Sequence, residues 1–77
     1  MASVPSISHA ILRRKKLEAR IGQSRSAIYA KLDKNSPYYD PTFPRPISLG
    51  ARAVGWVESE VDKWLVAQID KSRKVAA

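Results

Sequence analysis

The sequence predicts a mainly α-helical fold with one small β-hairpin, built from three helices and two short strands. Apolar residues recur at helical spacing on both sides of Gly22, which indicates two short helices joined by a tight turn. An alternating stretch at 47–56 with Gly50 near its centre predicts the hairpin. Residues 57–73 have the clearest amphipathic helical pattern. A chain of 77 residues allows a single small core.

The composition excludes several classes of protein. The chain contains no cysteine, so neither a disulfide framework nor a zinc finger can supply stability. Its apolar runs are a few residues long, far short of the roughly 20 residues that span a bilayer, and no secretory leader precedes them. We therefore expect a cytoplasmic protein with no membrane partner.

Positive charge is concentrated in the first two thirds of the chain. Residues 1–52 contain 10 Lys and Arg against 3 Asp and Glu, whereas residues 53–77 contain 4 of each, and the net charge is +7. This asymmetry favours a positive face that binds phosphates. A basic surface that has no partner is the alternative.

The N-terminal part of the chain is expected to contribute little structure. Residues 1–10 are small and polar, and we expect a flexible segment in which His9 is an ordinary surface histidine. Ile11 and Leu12 are expected to form a short extended segment under the first helix. Four cations follow at 13–16, where a helix N-terminus disfavours positive charge. Either they contact phosphates, or their alkyl stems cover the edge of the core.

Residues 14–34 are predicted to form a helix, a tight turn and a second helix. Gly22 can take a positive φ at the corner, and Ser24 can cap the second helix. This arrangement is a helix-turn-helix, whose second helix, at about 24–34, enters the major groove of DNA. The apolar seam between the helices consists of Leu17, Ile21, Ile28 and Leu32.

The face of the second helix that is turned away from the seam carries Arg25, Ser26 and Tyr29. Arginine donates two hydrogen bonds to guanine, a serine hydroxyl reaches a base edge or a phosphate, and tyrosine touches a phosphate or a thymine methyl group. For Tyr29, partial burial against the following loop is the alternative. The predicted DNA-binding residues are Arg13, Arg14, Lys15, Gln23, Ser24, Arg25, Ser26, Tyr29, Lys31 and Arg52.

Residues 35–46 contain four prolines, which exclude a regular helix and predict an ordered loop. We expect Tyr38, Tyr39 and Phe43 to pin this loop to the core. A base-stacking set for single-stranded nucleic acid is the alternative, but it lacks the sheet that would form a groove.

The hairpin at 47–56 follows the helix-turn-helix and is therefore predicted to be a wing, with Arg52 at or near its tip. An arginine there can reach the minor groove or flanking phosphates. An isolated hairpin is marginally stable, so it must pack on the helices, and Trp56 is the expected anchor. The apolar residues predicted to share one face are Ile47, Leu49, Val54 and Trp56.

The last helix, at 57–73, is predicted to be structural. Three acids crowd its first turn and three cations fall at its end, which suits the helix macrodipole. These acids are not accompanied by a nucleophile or by ligand spacing, so we expect no enzymatic activity, no metal and no cofactor. Residues 71–77 are assigned to a basic tail. The predicted core face consists of Val61, Trp64, Leu65, Gln68 and Ile69.

Taken in order, these elements resemble the AlpA family of small prophage and genomic-island regulators, which is related to the excisionases and to the MerR-type winged helix. The likeness spans about residues 11–70. Ala30 stands where family members often carry a basic residue, and the loop at 35–42 is longer than the minimal form. The matching landmarks are Gly22, Ser24, Arg25, Ser26, Ile28, Tyr29, Phe43, Pro44, Leu49, Gly50, Arg52, Trp56, Val61 and Trp64.

The resemblance implies a winged helix-turn-helix that binds double-stranded DNA and acts as a transcriptional regulator without enzymatic activity. It assigns recognition to Ser24, Arg25, Ser26 and Tyr29, and it assigns the wing contact to Arg52. Two alternatives are a recombination directionality factor, that is, an excisionase, and an adaptor whose last helix docks on an integrase or polymerase subunit. An integrase, or a second copy on adjacent DNA, is the further expected partner, and no small-molecule substrate is expected.

Overall fold

The computed structural model describes residues 10–76. The predicted flexibility of the N-terminal segment and the surface role of His9 concern residues outside this range, apart from Ala10. The mainly α-helical fold with a small hairpin is confirmed. In chain order the elements are β1 (Ile11–Leu12), α1 (Arg14–Ile21), α2 (Arg25–Leu32), β2 (Ile47–Gly50), β3 (Ala53–Val57) and α3 (Glu58–Ala76).

The corner between α1 and α2 forms as the sequence predicts. Gly22 has φ 68°, in the left-handed region that glycine tolerates, and its N–H donates to the carbonyl of Glu18 at 2.8 Å. The Ser24 side chain then accepts a hydrogen bond from the N–H of Ala27 at 3.2 Å and caps α2. These two local contacts end one helix and begin the next within three residues.

The sheet has three antiparallel strands in the order β1-β3-β2. The extended segment at Ile11 and Leu12 is confirmed, and it pairs with β3 so that Leu12 lies opposite Trp56. Gly55 makes this pairing possible, because a Cβ atom there would lie 2.4 Å from Cγ2 of Ile11 and 3.1 Å from Cδ1 of Leu49. A side chain at position 55 would therefore require the Ile11 side chain, or the strand that carries it, to shift.

The prediction that four apolar hairpin residues share one face is wrong. Ile47 pairs with Gly55, and directly opposed residues in antiparallel strands project to the same side. Ile47 and Leu49 therefore lie on the opposite face from Val54 and Trp56. Trp56 is fully buried, whereas the other three are exposed. The length of the turn decides which residues of β2 share a face with which residues of β3, and a register shift of one residue moves every side chain of a strand to the other face.

Nearly every element contributes to a single small core. The cluster draws on β1, α1, α2, β3 and α3 and on the loop that follows α2. Ile21 and Leu32, predicted for the seam of the helix-turn-helix, and Leu65, predicted for the core face of the last helix, pack against its edge. The buried residues are Leu12, Leu17, Ile28, Phe43, Trp56, Val61 and Trp64.

The loop after α2 is attached to both α2 and α3 at Asp40. The Asp40 N–H donates to the carbonyl of Lys31 at 2.9 Å, and its carboxylate accepts from Nε1 of Trp64 at 3.0 Å. The ring of Phe43 meets the ring of Trp64 edge to face, with centroids 4.9 Å apart. The loop is thus ordered by contacts at its middle.

The prediction that loop aromatics pin the loop is confirmed for Phe43 and wrong for Tyr38. Phe43 is buried and Tyr39 is half-buried, but Tyr38 is 75% exposed. A turn at 36–39 explains the difference, because the N–H of Tyr38 donates to Oγ of Ser36 at 3.0 Å and the turn carries the ring outward. Tyr38 therefore contributes nothing to the core.

Helix α3 is longer than the core that it covers. It continues through 71–76, the segment assigned to a basic tail, whereas helix was expected to end at 73. Ile69, predicted to lie in the core, is 48% exposed, because burial along the helix ends with the half-buried Gln68 and residues 69–74 are all exposed. No helix within residues 10–76 is long and apolar enough to cross a membrane.

Candidate nucleic-acid interface

The outer face of α2 is the candidate interface. Ile28 is fully buried against the core, and Ser26 lies about 160° around the helix from it, with Tyr29 about 100° and Arg25 about 60° away on one flank. Arg25 and Ser26 are exposed, and Tyr29 is 41% exposed, as predicted. The rest of the Tyr29 side chain is covered, so the alternative of partial burial also holds in part. All three side chains are accessible from solvent.

Arg25 and Tyr29 form a pair one helical turn apart. The guanidinium carbon of Arg25 lies 5.7 Å from the centroid of the Tyr29 ring, within the range of a cation–π interaction. This contact holds a long, flexible side chain on the outer face. Because part of the side-chain entropy is already lost, less of it opposes binding to a ligand.

The first turn of α2 presents hydrogen-bond donors to the surface. The Ser24 side chain satisfies the N–H of Ala27, and the first backbone bond of the helix runs from the N–H of Ile28 to the carbonyl of Ser24. The N–H groups of Arg25 and Ser26 precede this bond and have no partner within the helix. Such donors, with the positive end of the helix dipole, favour an anion such as phosphate.

Lys31 and Gln23 bind each other on one flank of α2. The ammonium of Lys31 donates to the side-chain oxygen of Gln23, and it lies 6.0 Å from the ring centroids of Phe43 and Trp64. Both side chains are half-buried. Lys31 therefore supplies positive charge at the rim of the outer face from a fixed position.

The predicted cations at the start of α1 have different environments. Arg13 and Lys15 are exposed and form no salt bridge with any residue from 10 to 74, whereas Arg14 is half-buried and pairs with Glu18. Lys15 and Lys16 line a shallow groove beside Leu12, so their stems lie near the core edge while their charges face water. The interpretation in which alkyl stems cover the core edge thus applies to Lys15 and Lys16, and the phosphate contact stays a prediction.

Arg52 lies in the two-residue turn between β2 and β3 and is exposed. The hairpin therefore forms as predicted, with an arginine at its tip. Within residues 10–76, no group of three or more His, Cys, Asp and Glu is placed to hold a metal ion.

Sequence reasoning missed a cluster of charges that joins α1 to α3. The guanidinium of Arg20 donates to Glu58 and, at 2.7 Å, to Asp62. These two hydrogen bonds raise the pKa of Arg20 above its ordinary value, and the bond to Glu58 has the larger effect. The partners are 38 and 42 residues away along the chain, so no local pattern signals the pairing. The acids of α3 were assigned only to the helix dipole.

Together these features define a winged helix-turn-helix whose second helix carries an exposed, partly cationic outer face. Residues 10–69 match the model of a family described as Prophage CP4-57 regulatory protein (AlpA). The chain belongs to this family, as its resemblance in sequence indicated. All of the predicted DNA-binding residues fall within the match.

One relative is the DNA-binding transcriptional activator AlpA of Escherichia coli (strain K12). It is 46% identical to this chain over 55 residues, which cover 71% of this chain and 79% of the relative. No solved structure gives a significant match to the chain.

Proposed function

We propose that this protein is a sequence-specific transcriptional regulator of a prophage or genomic island, which acts in the cytoplasm by binding double-stranded DNA. The observation that carries the proposal is the exposure of Arg25, Ser26 and Tyr29 on the outer face of α2. The name of the Escherichia coli relative, a DNA-binding transcriptional activator, supports it. The net charge of +7 fits a polyanionic partner.

In this proposal α2 enters the major groove with its N-terminal turn leading. Arg25 donates to the O6 and N7 atoms of a guanine, Ser26 reaches a base edge or phosphate, and Tyr29 contacts a phosphate or a thymine methyl group. Arg52 on the wing contacts the backbone or the minor groove.

Phosphate contacts position the helix. Ser24 and the free N–H groups of the first turn of α2 bind one phosphate, and Gln23 lies beside them. Arg13 and Lys15 bind the backbone at the start of α1. Arg14 and Lys31, each paired within the chain, add to the positive potential of this face. None of these roles requires a chemical step, so the protein acts as a regulator and not as an enzyme.

The exposed second half of α3 favours a second candidate, a recombination directionality factor. Val66 is 64% exposed and Ile69 is 48% exposed on a helix that extends beyond the core. A domain of this size reads few base pairs, so it needs adjacent copies or bent DNA for useful specificity. In this candidate function the same DNA contacts are made, and α3 meets an integrase or a second copy.

The proposal is tested with Arg25→Ala and a matched control, Lys74→Ala, which removes the same charge from the C-terminal turn of α3. Binding is measured by fluorescence anisotropy on duplexes from upstream of the protein's own gene and from a neighbouring integrase attachment site. Arg25→Ala should lose about 1–3 kcal/mol, roughly 5- to 150-fold in affinity, because one bidentate base contact is removed. The control should bind like wild type.

An Arg25→Ala variant that folds normally and binds as tightly as wild type contradicts the proposal. Tighter binding to the attachment-site duplex would favour the directionality factor if integrase strengthens that binding and Val66→Asp abolishes the effect of integrase. Binding upstream of the gene alone favours the transcriptional role.

A further inference from the structure

An open groove of about 430 Å³ lies between the outer face of α2 and the loop that follows it. The loop contributes Tyr38, and α2 contributes two alanine methyl groups. The other lining residues carry polar side chains. The lining residues are Gln23, Ser26, Ala27, Ala30, Lys31 and Tyr38.

The groove opens on the side of α2 that the proposed function places in the major groove. Ser26 and Ala30 are one helical turn apart, and both lie about 160° around the helix from the buried Ile28. Ala27 lies beside them toward Tyr38. A base edge that Ser26 can reach is therefore adjacent to this apolar surface.

The backbone that carries the Tyr38 ring has a defined place although the ring is exposed. Its own N–H donates to Oγ of Ser36 at 3.0 Å, and two residues later Asp40 is bonded to the carbonyl of Lys31 at 2.9 Å. The ring is nevertheless 75% exposed and does not belong to the core. A single exposed aromatic is ordinary, but this one faces two alanines on a helix surface that is otherwise polar.

The chemistry of this groove fits the C5-methyl group of thymine. That methyl group is the only apolar feature that a base pair presents in the major groove, and alanine and aromatic side chains contact it. We propose that Tyr38, Ala27 and Ala30 form a receptor for a thymine methyl group, and that Tyr38 is a specificity-determining residue. This inference rests on the proposed function, because it assumes that α2 lies in the major groove.

The test compares thymine with uracil, which lacks only the methyl group. Full-length protein is used to select duplexes from a random-sequence pool, and the most enriched duplex is resynthesised with uracil at each thymine in turn. Wild type should bind about fourfold more weakly at one or two of these positions, as expected for one buried methyl group.

Variants then assign the effect to the groove. Tyr38→Ala should bind the thymine and uracil duplexes equally, whereas Tyr38→Phe should keep the fourfold difference because the ring face makes the contact. Ile47→Ala, which trims another exposed apolar residue on β2, should also keep it. Thermal unfolding of Tyr38→Ala should match wild type, because the ring is outside the core.

Two outcomes overturn the inference while the proposed function survives. One is that uracil replaces every thymine without loss of affinity. The other is that Tyr38→Ala keeps the uracil penalty at the same positions, even where it weakens binding to both duplexes by the same factor, as the loss of a backbone contact would. If no duplex is enriched at all, the proposed DNA-binding function fails and the inference fails with it.

Discussion

At the residue scale, the carboxylate of Asp40 joins the loop after α2 to α3. It accepts hydrogen bonds from the hydroxyl of Thr42 at 2.5 Å and from Nε1 of Trp64 at 3.0 Å. Burial alone would raise the pKa of Asp40, but the hydrogen bonds from Thr42 and Trp64 outweigh it, so its pKa lies below the ordinary 3.8. The charged form of Asp40 therefore stabilises the folded protein.

Asp40→Ala should lower the free energy of unfolding at pH 7 by about 1.5 kcal/mol, the low end for a hydrogen bond to a charged group, because Asp40 is partly exposed. Thermal unfolding followed by circular dichroism measures the loss. Asp70→Ala, on the exposed face of α3, is the control for removing a carboxylate and should have a smaller effect.

The pH dependence of this effect follows from the lowered pKa of Asp40. The unfolded chain binds a proton at higher pH than the folded protein does, so the stabilisation is fully present above pH 3.8 and disappears as the pH falls through the folded pKa. The stability difference between wild type and Asp40→Ala should therefore shrink as the pH falls below 3.8 and through the folded pKa. A difference that does not change with falling pH would show that the carboxylate charge is not its source.

At the scale of secondary-structure elements, Gly55 leaves room for β1 beside β3. Gly55→Ala would place a Cβ atom 2.4 Å from Cγ2 of Ile11, so the Ile11 side chain or β1 itself must shift. We expect a loss of about 1–3 kcal/mol in unfolding free energy, typical of overpacking, and faster hydrogen exchange at the N–H of Glu58, which donates to the carbonyl of Ala10.

Gly50→Ala is the matched control, because a Cβ atom at Gly50 meets no atom within 4 Å. It should change stability by less than about 0.5 kcal/mol. Equal losses from the two substitutions would mean that glycine's backbone freedom, and not the close approach of Ile11, accounts for the effect.

The elements that local chemistry specifies were predicted well. Gly22 and Ser24 mark the boundary between α1 and α2 because each satisfies helix-end groups within a few residues. The pairing of β1 with β3 and the facing of the hairpin depend on register, which no local pattern reveals. Likewise, Ile69 fits the apolar stripe of α3, but the stripe alone does not show at which residue the helix extends past the core.

At the scale of the whole molecule, Arg20 supports the docking of α1 on α3, which share one core. It does so through ion pairs with Glu58 and Asp62. Arg20→Met, which keeps the alkyl stem, should lower the melting temperature at low salt. The deficit should shrink in 1 M salt, since these partly exposed ion pairs are screened there.

The control for Arg20→Met is Arg73→Met, which removes a cation from the exposed last turn of α3. A double-mutant cycle with Asp62→Ala completes the test, because the two losses should not be additive if the side chains interact. A deficit that is independent of salt, or additive losses, would contradict the role given to Arg20.

The candidate site was predicted in part. Helical periodicity placed Ser26 and Tyr29 away from the buried Ile28, whereas Arg25 lies only about 60° from Ile28 and its exposure does not follow from periodicity alone. The groove beside Tyr38 was not predicted, since its second wall depends on how the loop folds back onto Lys31. Contacts within one helix follow from sequence, whereas contacts between a helix and a loop require the fold.

The most direct test of the central claim, that the outer face of α2 and its flanking cations bind duplex DNA, is the salt dependence of affinity. Each phosphate contact should contribute about −0.9 to the slope of log affinity against log salt concentration, so about six contacts should give a slope near −5. Titrations between roughly 50 and 200 mM salt measure it. A slope near zero would contradict the account.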